Sequence, residues 1–346
     1  MTPHHLIVAG ASAGGTPALT ALLADLPGDF PAAIFVVVHT PPDHPSALPE
    51  ILSRAGALPA LHPQDGDPIA PGHVYVALPD HHLLIENGVV GVKKGPKENR
   101  FRPSVDALFR SAAYTYGPRV TGVVLSGMLS DGTSGLWTIK RLGGRAVVQA
   151  PGDAEFDSMP LSALEAVEVD HSVPCAELGA LLTRLVTQPQ PEQVEVRMDE
   201  REERRLAVEV GIAAEKDGFG RGILNLGELS PLTCPECHGV LVQFREDRRL
   251  RYRCHTGHAY SADILLSAIT HSVEEKAYQL LRALEEAELL LERLSEQYRA
   301  AGDAGTAQSF LAKMNEVEAR TAAVREVALR NEQLSEDSIR HGRKKT

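Results

Sequence analysis

Short apolar runs rich in Val and Ile recur through the first half of the chain, at 6–9, 34–38, 120–125 and 146–148. Runs of this length fit strands covered on both faces, and helix-period stretches follow near 16–24, 46–54, 104–114, 134–142 and 176–186. The alternation predicts an α/β fold, a doubly wound and mostly parallel sheet with crossover helices. Between residues 73 and 94 the pattern changes. Asn87-Gly88 stands between two apolar-rich runs, which predicts an antiparallel hairpin appended to the sheet.

Past residue 188 the texture shifts. "TQPQPEQVEVRMDEREERR" is proline-containing and then densely charged, which marks a domain boundary at about 188 and a charged linker or helix with a solvated face over 189–229. A small Cys/His module occupies 230–262. Beyond it, Val273, Ala277, Leu280, Leu284, Ala287, Leu291, Leu294 and Tyr298 repeat at spacings of four and three. After the break at "AAGDAGT", Phe310, Met314, Val317, Thr321, Val324 and Ala328 continue the period. The pattern predicts a coiled-coil-like helical hairpin over 263–337, packed on itself or on another chain. The basic tail 338–346 is expected to be disordered.

Composition narrows the function classes. At 346 residues with 43% hydrophobic content, the chain is long enough for two or three domains with real cores. No apolar run approaches the ~20 residues of a membrane helix, and no signal-type segment opens the chain. A net charge of -11 argues against nucleic acid as the main partner, since phosphate binding relies on Lys and Arg. Four cysteines, three of them clustered, favour a reducing compartment with a metal site over a disulfide framework, so a cytoplasmic protein is expected.

The Gly-rich turn "GASAGG" at 10–15 has three possible chemistries. A dinucleotide site wants Gly where Ser12 stands and an acid at the end of the second strand, where His39 stands. A phosphate loop wants a Lys that is absent. The turn does satisfy G-x-S-x-G between a strand and a helix, which would lift Ser12 above the sheet. Taken alone, Ser12 reads equally as a plain small-residue turn, and His39 as a surface loop residue. In an open parallel sheet, however, the carboxyl ends of strands meet at a switch point. "VVLSGMLSDGTSG" places Asp131 at another strand end, where a carboxylate could orient the imidazole. The chain order Ser12, His39, Asp131 differs from that of an α/β-hydrolase, which runs Ser, Asp, His.

Five motifs in order, "GASAGG", "VVVH", "FRPSVDALFRSAA", "VVLSGMLSDGTSG" and "SMPLSA", together resemble the CheB family of chemotaxis receptor methylesterases over about residues 5–187. The resemblance implies that Ser12, His39 and Asp131 match the family's catalytic triad. It further implies that Met128 supplies a backbone N–H to an oxyanion hole, with Ala13, the first amide after the serine, as its companion. The implied activity is hydrolysis of glutamyl methyl esters on chemoreceptor-type proteins, releasing methanol, with deamidation of glutamines as in relatives. Familiar members carry a receiver domain ahead of the esterase, and a chain without one is expected here, since the first strand starts near residue 5. Where relatives often have Thr after the nucleophile, this chain has Ala13. Arg100 or Arg102 is a candidate contact to an acidic substrate protein, beside the plain reading of this segment as a buried helix start.

The C-terminal half adds its own chemistry. "CPECHG" and "YRCHTGHAY" give Cys234, Cys237, Cys254 and His258 in a C-x2-C, C-x3-H pattern. That spacing suits a structural, tetrahedral zinc in a ribbon-like module, with His255 as an alternative fourth ligand. No cofactor is needed for catalysis. Expected partners are a methylated receptor-like substrate and a second copy or helical partner through 263–337. A catalytically weak scaffold in a chemosensory complex is the alternative reading.

Overall fold

The computed structural model describes residues 5–188, 198–335 and 338–339. Part of the expected linker, 189–197, and most of the basic tail, 340–346, lie outside the described residues. The chain divides into two compact units, Met1–Leu265 and Leu266–Thr346.

Unit one opens with β1 (Leu6–Ala11), α1 (Gly15–Ala24), β2 (Ala33–Val38), α2 (Leu48–Ala55), β3 (Ala60–Leu61) and β4 (Val74–Val76). A hairpin of β5 (His82–Glu86) and β6 (Val89–Lys93) leads to α3 (Val105–Tyr116), β7 (Val120–Val124) and α4 (Thr133–Arg141). Then come β8 (Arg145–Gln149), α5 (Ser158–Ala166), β9 (His171–Val173) and α6 (Cys175–Thr187). Seven of these strands form one sheet in the order β3-β4-β2-β1-β7-β8-β9, and every pairing in it is parallel. The stretch from 73 to 94 contributes to two sheets. Its first three-residue strand, β4, joins the parallel sheet, and the antiparallel pair β5–β6 stands as a separate ribbon turned at Asn87 (φ 45) and Gly88 (φ 88).

Both sheet faces are buried, which explains the unbroken apolar strands. On β1, Leu6 and Val8 face a core shared with Phe109, Leu136 and Met159 of α3, α4 and α5. Ile7, Ala9 and Ala11 face the opposite core with Leu19 and Leu22 of α1 and Leu178 and Leu182 of α6. The strand order reverses direction at β1, between β2 and β7. That is the switch point where strand-end loops converge.

The expected boundary at 188 does not separate compact units. α7 (Glu200–Ala213) begins with the Asp199 side chain accepting from Glu202 N and has three acids in its first turn, a stabilised N-terminus. It buries Leu206, Val208, Glu209 and Ile212 and packs on α3. Four antiparallel strands follow, β10 (Glu228–Thr233), β11 (Val240–Glu246), β12 (Arg249–Cys254) and β13 (Ala259–Ser261). They meet α3 and α7 through a buried ion network. Glu98 accepts from Arg110 Nη1 at 2.8 Å and from Arg253 Nη2 at 2.7 Å. Glu209 accepts from Arg253 Nη2 at 2.9 Å and from Arg251 Nη1 at 3.0 Å, and Arg251 also reaches Glu246 at 2.9 Å. Three arginines face three glutamates, so the buried charge balances. Burial pushes the Glu98 and Glu209 carboxyls up, but the arginines outweigh it and hold both well below the carboxylate range.

α8 (Ala262–Ala300) enters the second unit and continues to a turn, after which α9 (Ala304–Arg330) returns. The two run antiparallel. Ser295 Oγ donates to Ala307 O at 2.9 Å, Tyr298 stacks on Phe310 at 5.3 Å, and Arg325 pairs with Glu285 at 2.6 Å. All six positions of the second apolar series are buried or half-buried. On α8 Ala277, Leu284, Ala287, Leu291 and Leu294 of the expected series are buried or half-buried, while Val273, Leu280 and Tyr298 are exposed. Leu281 and Ser295 are buried, Thr321 of α9 bonds Glu288, and Leu280 is 51% exposed.

Candidate active site

β1 ends at Ala11 and α1 begins at Gly15, leaving a three-residue turn that carries Ser12. Gly14 has φ 70, and a Cβ there would sit 2.6 Å from Ser126 Oγ, so glycine alone fits the turn. Ser12 N donates to Ser126 O at 2.9 Å, tying the turn to the loop after β7. His39 follows β2, its amide donating to Ala11 O at 3.3 Å. Its ring lies flat on Phe101, 3.6 Å between centroids with 5° between planes. Stacking fixes the ring plane. Nδ1 then stands 3.2 Å from Ser12 Oγ and Nε2 stands 2.8 Å from Asp131 Oδ2.

Asp131 is 1% exposed, and five groups serve its two oxygens. Oδ2 takes His39 Nε2 and the amide of Val105 at 2.8 Å; Oδ1 takes Asn99 Nδ2 at 2.8 Å, Ser104 Oγ at 3.0 Å and the amide of Asp106 at 3.3 Å. The carboxylate therefore sits on the N-terminus of α3, where free amides and the helix dipole favour negative charge. Burial alone would push it up. The bonds from His39, Asn99 and Val105 outweigh burial and hold Asp131 below its ordinary value.

A second carboxylate mirrors it. Asp106 Oδ1 accepts from the amides of Gly132 at 3.0 Å and Gly135 at 2.6 Å, at the N-terminus of α4. Each acid thus caps the helix that follows the other's loop. Burial, and then the nearby charge of Asp131, push Asp106 up to about 7. Asn99 Nδ2 bridges the pair, 2.8 Å from Asp106 Oδ2 as well.

Beside Ser12 runs the loop that carries Met128. A Cβ on Gly127 would fall 2.9 Å from Ser12 Cβ and 2.1 Å from Met159 Sδ, so the backbone passes close to the serine. Gly127 N donates to Phe156 O at 3.0 Å, and Met159 N to Gly127 O at 2.9 Å, which pins the loop. The next amide is that of Met128, whose side chain is 54% exposed. Ala13 follows Ser12 in its turn and Met128 follows Gly127 in the neighbouring loop, and neither amide has a backbone acceptor among the described residues.

The structure thus brings Ser12, His39 and Asp131 together, with Ala13 and Met128 alongside. It also gathers Cys234, Cys237, Cys254 and His258, whose ligand atoms all lie within 4.8 Å of one another. His255 is outside that group; its ring packs on Gly239, where a Cβ would meet Cε1 at 2.4 Å. Arg102 is bonded within the chain. Its guanidinium binds Asp80 at 2.6 Å and the carbonyl of Gly95 at 2.8 Å. A cavity of about 590 Å³ lined by Trp137, Glu202, Arg205 and Phe244 includes none of the Ser12 cluster. Asn99 and Phe101 escaped the sequence reading, though both stand just ahead of the recognised helix start at Ser104. Their only local signal is a polar run, "KENR", before an aromatic.

A hydroxyl, an imidazole and a carboxylate in line at the carboxyl edge of an open parallel sheet define a doubly wound α/β protein with a serine-hydrolase-type cluster. The family described as CheB methylesterase matches residues 7–182. The chain belongs to that family. It is 34% identical over 192 residues to protein-glutamate methylesterase/protein-glutamine glutaminase 2 of Methanosarcina acetivorans, covering 53% of this chain and 54% of that one. A putative protein-glutamate methylesterase/protein-glutamine glutaminase of Leptospira interrogans is 38% identical over 183 residues, 53% of this chain and 95% of its own length. The crystal structure of the Thermotoga maritima CheB methylesterase catalytic domain matches with a TM-score of 0.50 at 34% identity, covering 52% of this chain and 98% of that domain. The chain spans about half the length of several of the curated relatives it matches, the first of them included. No helix among the described residues is long and apolar enough to cross a membrane.

Proposed function

We propose that the Ser12 cluster hydrolyses methyl esters of glutamate side chains on a chemoreceptor-type protein, and by the same chemistry deamidates glutamine. The observation that carries this reading is the unbroken chain from Ser12 Oγ through the His39 ring to Asp131 Oδ2, at 3.2 and 2.8 Å. Ser12 Oγ attacks the ester carbonyl carbon while its proton passes to His39 Nδ1. Asp131 accepts the Nε2–H, fixes the tautomer and stabilises the imidazolium. The amides of Ala13 and Met128 receive the negative carbonyl oxygen of the tetrahedral intermediate. That intermediate collapses by breaking the bond to the methoxy oxygen, which takes the proton from Nδ1 and leaves as methanol. Water attacks the acyl-serine by the same route, giving its proton to Nδ1 and then returning it to Ser12. For glutamine the leaving group is ammonia.

The expected place of work is the cytoplasm, a reading supported by four free cysteines. Exposed Leu280, Leu289, Leu290 and Leu329 on α8 and α9 support a docking role for that helical unit on a helical partner. The test is methanol release from a methylated receptor fragment. Wild-type protein is expected to release it, and Ser12→Ala to lose on the order of 10⁴–10⁶-fold in kcat with its fold intact. Equal release by both proteins would remove Ser12 from the mechanism.

A further inference from the structure

Among the described residues, one group of metal-ligating side chains lies apart from Ser12, namely Cys234, Cys237, Cys254 and His258. Two knuckles present it. His238 N donates to Cys234 O and Gly257 N to Cys254 O, both at 2.9 Å, with left-handed backbone at His238 (φ 59) and Gly257 (φ 105) closing the turns. Zinc–sulfur bonds of about 2.3 Å and zinc–nitrogen bonds of about 2.0–2.1 Å at tetrahedral angles require S···S near ~3.8 Å and S···N near ~3.6 Å. Here Cys237 Sγ and Cys254 Sγ are 3.6 Å apart, and His258 Nδ1 stands 3.7 Å from Cys234 Sγ and 3.6 Å from Cys254 Sγ. Those are three of the six edges of a zinc tetrahedron, and the other three are no longer than 4.8 Å. Two hydroxyls stand against the group, Thr256 Oγ1 at 3.0 Å from Cys254 Sγ and 3.2 Å from both Cys237 Sγ and His258 Nδ1, and Tyr260 Oη at 3.4 Å from Cys234 Sγ, where outer partners of a metal thiolate would sit.

The three residues after His258 lead to the active site. Ala259 O accepts from Asn99 N at 2.7 Å, and Ser261 N donates to Asn99 Oδ1 at 3.0 Å. Ser261 Oγ also lies 3.0 Å from Ser130 Oγ, next to Asp131. With its carbonyl end held by Ser261, the buried Asn99 amide turns its NH₂ end to Asp131 and Asp106, 2.8 Å from each. A reversed amide would face two carboxyls with a third acceptor. The ribbon therefore decides which end of Asn99 meets the acids.

We propose that Cys234, Cys237, Cys254 and His258 bind one zinc ion, which holds residues 258–261 and, through the Asn99 amide, positions Asp131 against His39. The zinc site stands on its own geometry, and the second half rests on the proposed role of Asp131. Asn99 is a positioning residue, since it acts on the reaction through Asp131.

The test reads the His39–Asp131 bond directly, so it needs no substrate and is separate from the hydrolase reading. In full-length protein, zinc per chain is measured by elemental analysis, and the downfield imidazole N–H proton of His39 is followed by NMR. The resonance is assigned by its absence in His39→Gln. Wild type is expected to hold one zinc and show the resonance. Chelator-treated wild type and Cys237→Ser lose both, and Asn99→Ala keeps its zinc but loses the resonance. If Cys237→Ser fails to fold, the chelator arm and Asn99→Ala carry the decision. Purified wild type with less than about a tenth of an equivalent of zinc overturns the metal site. An unchanged resonance after zinc removal, or in Asn99→Ala, overturns the coupling.

Discussion

At the scale of single residues, Ser12, His39 and Asp131 are held by neighbours outside the cluster. His39 keeps its plane because Phe101 lies parallel to it at 3.6 Å, and one face of the imidazole is thereby shut. Truncating that ring leaves the triad hydrogen bonds possible but lets the imidazole swing. A misplacement of the base by about 1 Å typically costs about 10²-fold in rate. Phe101→Ala is therefore expected to lower kcat by about 10–100-fold with little change in KM, measured on the same methylated fragment. An unchanged kcat would show that Asp131 and Ser12 suffice to hold the ring. Ser12 and His39 were legible in the sequence because each directly follows an apolar strand, and Asp131 because it lies in the Gly-rich loop after another. Asn99 and Phe101 were not, because what makes them matter is contact with residues 32 and 62 positions away, which leaves no periodic trace.

At the scale of elements, strand and helix period carried most of the reading. The parallel strands are continuous apolar runs because helices cover both faces, and the hairpin turn at Asn87-Gly88 adopts the left-handed backbone its residues favour. Within the 73–94 stretch the hairpin takes only the residues next to that turn, and the earlier strand β4 pairs with β2 in the sheet. On α9 the four-and-three spacing marks the packed face. On α8 Ala277, Leu284 and Leu291 of the expected series are packed, but between them Leu281 is buried in preference to Leu280, on the side where Thr321 and Ala307 bond Glu288 and Ser295. Leucine spacing alone contains no information about those polar partners. The reciprocal caps of α3 and α4 are equally non-local. Asp106 and Asp131 each look like ordinary helix-start or turn residues until both loops are placed side by side.

At the scale of the whole molecule, the boundary expected at 188 dissolves because of charge. The densely charged run at 199–205 is exposed or half-buried throughout, but beyond it Glu209 is 1% exposed and Arg251 and Arg253 of the ribbon are 2% and 0% exposed. With Glu98 and Arg110 they join α3, α7 and the ribbon in one unit. Removing one partner from such a network leaves an uncompensated buried charge, which typically costs about 3–5 kcal/mol. The native Glu209 carboxyl is lowered from 4.5 to about 2, so its contribution is present above pH 4.5 and lost as pH falls towards 2. Glu209→Gln is expected to lower the thermal midpoint at pH 7 and to flatten the decline in stability between pH 4.5 and 2. A variant with wild-type stability across that range would mean that the network is not the clamp described. The central claim is that Ser12 is a nucleophile activated by His39 and Asp131. Its most direct test is peptide mapping after treatment with a fluorophosphonate. One phosphonyl group on the peptide carrying Ser12, absent in His39→Ala, is the expected result. Labelling at another serine, or equal labelling of Ser12 without His39, would contradict it.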